Sequence, residues 1–437
     1  MADGKGNGAL KLGDRRKVVV IGGGQAGLAT SYCLTARGID HVVLERHQIG
    51  HEWRARRWDS FCLVTPNWQC RLPGFPYNGG DPKGFMVKED ILRYIEDYVR
   101  FFGPPVIEGA SVTQLRANPT GGFDLSSNVG ECHADQVVIA TGGYHIPEIP
   151  RLGERLPERV TQLHSSAYRN PQSLPEGEVL VVGTGQSGCQ IAEDLHIAGR
   201  RVHLCVGSAP RTARRYRGRD VVEWLEDLGY YSLSVDQHPL KEKVRAKSNH
   251  YVTGRDGGRD IDLRLRAREG MQLHGRLINI RGERLEFATD LKHNLDQADA
   301  VAESIKTTID KMISERGVDA PMEARYVPLW EPVDEPLSLD LAAAGVTSVI
   351  WSTGYRADYR WIEVPIFDGR GYPVHHRGVT SASGLFFVGL PWQHTWGSGR
   401  FSGVAVDAEY VADGIQRRLG EKAAPRRQAL NELALGT

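Results

Sequence analysis

The 437-residue sequence predicts an α/β fold that carries two copies of one strand–turn–helix–strand unit. Three observations predict it. Val18–Ile21 is a β-branched run followed by Gly22, Gly24 and Gly27 in the spacing G-x-G-x-x-G. A helix should follow from about Ala26 to Arg37, and a second strand, His41–Leu44, ends on the acid Glu45. The pattern then recurs 161 residues later, where Gly183, Gly185, Gln186 and Gly188 fall on Gly22, Gly24, Gln25 and Gly27. A period that long is a duplicated βαβ unit and not a solenoid repeat.

Each part of the unit has a task when a dinucleotide binds. The first glycine makes a tight turn, the second admits the pyrophosphate and the third lets helix pack on strand, while the helix N-terminus faces the phosphates. In the first copy Gly22, Gly24, Gln25, Ala26, Gly27, Glu45 and Arg46 are the expected contacts, with Glu45 placed to accept from ribose hydroxyls. In the second copy they are Gly183, Gly185, Gln186, Ser187, Gly188 and Ser208. Val206 stands where the first copy has Glu45, and Arg211, Arg214, Arg215, Arg217 and Arg219 follow. An acid repels a 2′-phosphate and arginines accommodate one. The first site therefore suits FAD or NAD, and the second suits NADP, with Arg214 and Arg215 as expected phosphate contacts. The alternative is that the arginine run is a solvated basic face.

Bulk properties narrow the class. Lys plus Arg equals Asp plus Glu at 54 each, so charge points to neither nucleic acid nor membrane. The six cysteines show no C-x-x-C and no zinc spacing, which fits a reduced cytoplasmic protein without a metal site. The polar, glycine-rich start is no signal peptide, and no apolar run is long enough to span a bilayer. Residues 1–15 are expected to be disordered and 421–437 to form a frayed tail.

Along the chain, residues 46–85 are loop-rich and carry Trp53, Trp58 and Trp68. Lys88–Phe101 is helical by spacing, and Val112, Asp124–Leu125 and Gln136–Ala140 mark strands. Two strands exit in Thr-Gly pairs, Thr141-Gly142 and Thr353-Gly354, where the backbone turns beside a bound cofactor or simply leaves the sheet. Asp220–Tyr231 reads as helix, and Leu273–Ile280 with Arg284–Phe287 as a hairpin. Leu291 to Ile313 recur every three or four residues in a long helix stopping at Gly317, whose apolar stripe is core or the face of a possible homodimer. The last helix, Ser402–Arg418, is expected to aim its N-terminus at the electron-rich edge of a flavin, with Gly403 as a cofactor contact.

In this order the pieces VVVIGGGQAGLA, VVIATGG, LHSSAYRNP, VLVVGTGQSGCQIAEDL, STGY and GLFFVGLP resemble the flavoproteins with two dinucleotide-binding domains, and within them the flavin-containing monooxygenase group. The resemblance implies two Rossmann-like domains, with the NADPH domain (165–337) inserted into an FAD domain (16–164 and 338–420). It implies FAD contacts from Trp53 and, near the adenine, Val112. It also implies an NADPH-dependent monooxygenase that oxygenates a small nitrogen- or sulfur-containing substrate with O2 through a C4a-hydroperoxyflavin. A reductase or dehydrogenase without oxygen insertion is the alternative. Of the group's F-x-G-x-x-x-H fingerprint only His164 and Tyr168 remain, and tyrosine at the last place speaks against Baeyer–Villiger chemistry. The cofactors carry such chemistry, so few catalytic side chains are needed. The polar candidates are Asn67, His164, Gln393 and His394, the last two within the loop Trp392–Trp396.

Overall fold

The computed structural model describes residue 12 and residues 14–434, with side chains to residue 420. The disorder expected over residues 1–15 lies mostly outside the described residues; Arg15 already belongs to a strand. Two parallel sheets dominate. In the first, β1 (Arg15–Ile21) leads through α1 (Gln25–Ala36) to β2 (His41–Glu45), and β3 (Gly130–Ile139) pairs parallel on the other side of β1. The ten-stranded sheet continues through Phe123–Ser127 and Val112–Ala117 on one side and Val106–Glu108 on the other. Late in the chain, Leu385–Phe387 adds parallel to β3. Helix Lys88–Phe102 buries Ile91, Tyr94, Ile95 and Tyr98 in the core shared with α1.

The second sheet repeats the arrangement with β4 (Glu178–Val182), α2 (Gln186–Ile197), β5 (Val202–Cys205) and β6 (Val346–Trp351). Its strand order is Thr161–His164, β6, β4, β5, Gln272–His274, all parallel. Corresponding residues of the two sheets occupy corresponding positions. Ile21 pairs Leu44 and Ile139, and Val182 pairs Cys205 and Trp351.

The structure sharpens four expectations. Strand Thr161–His164 and β6, which flank the expected insertion 165–337, both pair in parallel within the second sheet and satisfy their backbone groups there. The expected hairpin is shorter. Leu277–Arg281 pairs Arg284–Phe287, while Gln272–His274 leaves to edge the second sheet. The long helix runs Leu291–Arg316 and ends on left-handed Gly317, and of the two readings of its stripe the structure shows core: Leu291, Leu295, Ala298, Ala302, Ile309 and Ile313 are buried within their own chain. Finally α3 (Val404–Ala434) carries helical backbone well past the expected stop at Arg418.

Candidate functional site: two nucleotide cradles and the cleft between them

Backbone geometry shows why both turns need their glycines. Gly22 sits at φ +109°, and a Cβ there would lie 2.6 Å from the Ala140 carbonyl oxygen. A Cβ on Gly27 would lie 1.8 Å from Gly22 O, and one on Gly188 1.9 Å from Gly183 O, so helix and turn touch backbone to backbone in both copies. Gly24 and Gly185 are the opposite case: nothing lies within 4 Å of a Cβ at either. Each opens on free space at the start of a helix whose first N–H groups have no side-chain cap. An open glycine before an uncapped helix N-terminus accepts a pyrophosphate, and both cradles pass that test.

The cradles differ at the end of the second strand. Glu45 Oε2 accepts from Gly23 N at 2.7 Å and Oε1 from His47 N at 2.8 Å, which holds the carboxylate at the ribose end of the turn. The position matching Gly23 is Thr184, buried, whose hydroxyl accepts from Gly207 N at 2.9 Å. A neutral hydroxyl does there what a charged carboxylate does in the first copy. Ser208, next along, is exposed. Ala26 packs under the Gly389 turn, Gln25 donates to Gly399 O at 2.9 Å, and Gln186 donates to Val252 O. These three seat loops on the helix starts, and Ser187 occupies the first turn of α2. Arg46 is exposed beside His47, and Val112 packs on the first sheet's core.

The arginine run is split between buried ion pairs and an exposed member, Arg215. Arg214 is 2% exposed; it donates to Asp220 at 2.9 Å and to Val64 O at 2.7 Å, and it lies over the Phe85 ring. Arg211 pairs with Asp299 and Arg217 with Asp310. Arg215 is exposed and donates to Gly257 O. Arg214, expected at a 2′-phosphate, is here engaged by Asp220 and Val64 O, so its guanidinium ties the second unit to the first unit's loop.

Both Thr-Gly exits lie at the mouths of the cradles, with Gly142 at φ +70° and Gly354 at φ +88°. Gly142 O accepts from Tyr359 OH at 2.7 Å, and Thr353 donates to Glu148 O. Three hydroxyls, Thr141 Oγ1, Ser352 Oγ and Ser402 Oγ, are buried with no hydrogen-bond partner among the described residues, and they stand at these exits and at the start of α3. Buried orphan hydroxyls fit polar edges of bound cofactors. Gly403 is pressed against Gly397, where a Cβ would lie 2.7 Å from backbone atoms, and fixes the α3 entry. Trp53 stacks on Phe401 at 5.5 Å.

The proposed catalytic side chains are largely committed elsewhere. Asn67, 4% exposed, donates to Asp81 O at 2.9 Å and accepts from Met86 N at 2.7 Å. His164 donates from Nε2 to Gly354 O at 2.9 Å and accepts at Nδ1 from Ser166 N at 3.2 Å. Burial holds its imidazole below the usual range. With both nitrogens occupied it is a neutral strut under the Gly354 turn and not a proton carrier. Gln393 donates to Phe387 O, so it too is structural. His394 lines a small cavity with Asp236, His375 and Arg377, and does not meet Asn67 or His164 there. Tyr168 is fully buried and donates to Asp194 at 2.7 Å. Sequence reading missed Thr184, which the 161-residue shift onto Gly23 makes visible.

The six cysteines are all free and buried. Burial pushes the Cys70 thiol up to about 12 and also raises Cys62. No metal-holding group of His, Cys, Asp or Glu occurs among the described residues, and none of their helices is long and apolar enough to cross a membrane.

The profile of the pyridine nucleotide-disulphide oxidoreductases matches residues 19–254. The chain belongs to that family. It is 34% identical over 402 residues to an uncharacterized CzcO-like oxidoreductase of Geobacillus kaustophilus, covering 91% of this chain and 97% of the relative. Indole-3-pyruvate monooxygenase YUCCA4 of rice is 32% identical over 213 residues, 45% of this chain and 48% of the relative. The fold is shared with a flavin-containing monooxygenase from Stenotrophomonas maltophilia (TM-score 0.63, 18% identity, 93% and 100% of the two chains). It is also shared with an ornithine N-hydroxylase from Kutzneria (TM-score 0.61, 16% identity, 92% and 99%). This family member is an oxidoreductase whose cofactors are FAD and a pyridine nucleotide.

Proposed function

We propose that this oxidoreductase is a monooxygenase that inserts one atom of O2 into a small, nucleophilic nitrogen- or sulfur-containing substrate, with FAD on the first cradle and NADPH on the second. The difference between the cradles supports the assignment. Glu45 offers ribose hydroxyls a carboxylate, whereas Thr184 and Gly207 leave no charge to repel a 2′-phosphate beside the exposed Ser208. The observation that carries oxygenation over disulfide reduction is the state of the cysteines. Each is buried and unpaired, and the Cys70 thiol is held far from ionisation, which speaks against a dithiol that accepts electrons. The relatives named as monooxygenases support the same reading. Unpaired thiols also fit a cytoplasmic protein.

When bound, the flavin supplies both the electron transfer and the activation of O2. The chain's part is to bind, orient and exclude water. Gly24 and Gly185 admit the two pyrophosphates, and the α1 and α2 N-termini stabilise them. Gln25 and Gln186 seat the Gly399 and Val252 loops over the cradles. The orphan hydroxyls of Thr141, Ser352 and Ser402 are free to bond the cofactors' polar edges. His164 holds the Gly354 turn at the seam.

The test reduces the FAD-loaded protein with NADPH without air, then admits 18O2 in the presence of an amine or a sulfide. Labelled product with less than one peroxide released per NADPH is the expected result. Full return of the electrons as peroxide with every nucleophile tried overturns the oxygenase reading and leaves a reductase.

A further inference from the structure

Three carboxylates are buried among the described residues: Glu193, Asp194 and Asp407. The first two are paired. Glu193 is bridged to Arg259 and Arg266, and Asp194 is bridged to Arg255 and accepts from Tyr168 at 2.7 Å. Asp407, in the first turn of α3 and 1% exposed, is the exception, since neither of its oxygens has a hydrogen-bond partner among the described residues. Two polar groups face it, Ser398 on the loop before α3 and Arg377 on the turn between His376 and Val379. The Ser398 oxygen is already spent on His394 N at 3.0 Å and Thr395 N at 3.1 Å. Arg377 forms no ion pair among the described residues. Its guanidinium lies over the Tyr410 ring at 4.0 Å, its Nε is buried without a partner, and its backbone is left-handed at φ +48°. The chain therefore spends strain to hold a cation near the carboxyl, yet not on it.

The place of Asp407 gives this a use. The loop that feeds α3 is seated on the first cradle: Gln25 donates to Gly399 O at 2.9 Å, and a Cβ on Gly389 would lie 2.5 Å from Ala26 Cβ. The orphan hydroxyl of Ser402 marks the end of that loop as a fit for a cofactor's polar edge. Asp407 stands three residues inside the helix that begins at Val404, about 4.5 Å along its axis. Burial raises its carboxyl to about 6, against the lowering by Ser398 and Arg377. A further negative charge arriving at the helix start would raise it again, because like charges in a water-poor interior disfavour the ionised form. Hydride transfer delivers such a charge to a flavin.

We propose that Asp407 takes up a proton when the flavin of the first cradle is reduced and releases it on reoxidation. The hydride brings two electrons and one proton and leaves the flavin one negative charge richer. Asp407 then binds one further proton from water as its carboxylate becomes the acid, so the site gains no net charge. Asp407 acts through the field across the first turn of α3, and is a positioning residue for charge and not a catalytic one. This rests on FAD occupying the first cradle and is independent of oxygen insertion.

The experiment measures the flavin midpoint potential of the FAD-loaded full chain without air, against pH. Just above the carboxyl's value of about 6, the wild type should bind two protons per two electrons and D407N one. The reduction equilibrium then changes about a hundredfold per pH unit in the wild type and about tenfold in D407N, roughly 30 mV per unit for each proton. The reduced-minus-oxidised infrared difference spectrum near neutral pH should carry a carboxylic-acid C=O band that D407N lacks. One proton per two electrons throughout in the wild type, the same slope in both proteins, or an infrared spectrum without that band overturns the proposal. If D407N does not load FAD, R377Q decides. Loss of the facing cation should move the two-proton window to higher pH, and an unmoved window overturns the proposal. No O2 is involved, so failure here leaves the oxygenase reading standing, and failure of 18O insertion leaves this one standing.

Discussion

The two cradles share a turn, a helix start and a Thr-Gly exit, yet they differ in how the loop after the second strand is closed. The first closes with a charge: Glu45 accepts from the backbone of Gly23. The second closes with a hydroxyl: Thr184 accepts from the backbone of Gly207. The backbone demand is the same, one N–H needing one acceptor, and the donor and acceptor have exchanged strands. Where a fold needs only a hydrogen bond, the charge state of the acceptor is left free to choose the ligand.

The largest expected effect concerns the arginine that departs from the cradle. Arg214 donates to Asp220 and to Val64 O, so it ties the second unit to the first unit's loop. R214A leaves a carboxylate without its buried partner and should cost about 3 kcal/mol of stability. Thermal unfolding with FAD bound measures this. The NADPH-to-NADH preference of the surviving protein should stay within about twofold of wild type. A collapse of that preference at unchanged stability would return Arg214 to the phosphate site.

Next come the glycines that both cradles need. G27A and G188A each set a methyl under 2 Å from a carbonyl oxygen, which forces helix from turn at a cost of about 1–3 kcal/mol. The outcomes should differ because the ligands do. G27A should purify with little flavin. G188A should stay yellow and lose bleaching by NADPH. Absorbance at 450 nm before and after anaerobic NADPH reads both. A yellow G27A would place FAD elsewhere.

What was legible in the sequence follows the same division between local and distant causes. The glycine turns, α1, α2 and the Thr-Gly exits were readable because each is fixed by steric rules among adjacent residues. Glu45 was readable because strand length sets where it lands. The arginine run was not. Whether Arg214 meets a phosphate or a carboxylate depends on Asp220 beside it and on Val64 and Phe85 far back in the chain, and spacing carries no trace of that packing. His164 looked reactive until Gly354 O and Ser166 N were seen to occupy both nitrogens. The strands that flank the insertion were hidden for a related reason. Thr161–His164 and Val346–Trp351 are neighbours in the second sheet although the insertion separates them in sequence.

The smallest effect is the sharpest test of the cradle comparison. T184G/V206E rebuilds the first cradle's closure in the second, because 184 and 206 are the positions matching Gly23 and Glu45. A Cβ on Gly23 would lie 2.8 Å from Glu45 Cβ, so the acid needs glycine opposite it, and V206E alone should strain the turn. In the double variant the new carboxylate can accept from the backbone of residue 184 as Glu45 does from Gly23. It then repels a 2′-phosphate and offers ribose hydroxyls an acceptor. The NADPH-to-NADH ratio of kcat/KM for flavin reduction should fall roughly tenfold, about 1.4 kcal/mol. The yellow colour and the rate of reduction at saturating nucleotide should be kept, since neither Gly24 nor Gly185 is touched. An unchanged ratio in a folded double variant would mean that exposed groups such as Ser208 and Arg215 decide the phosphate, and that the exchanged hydrogen bond is closure alone.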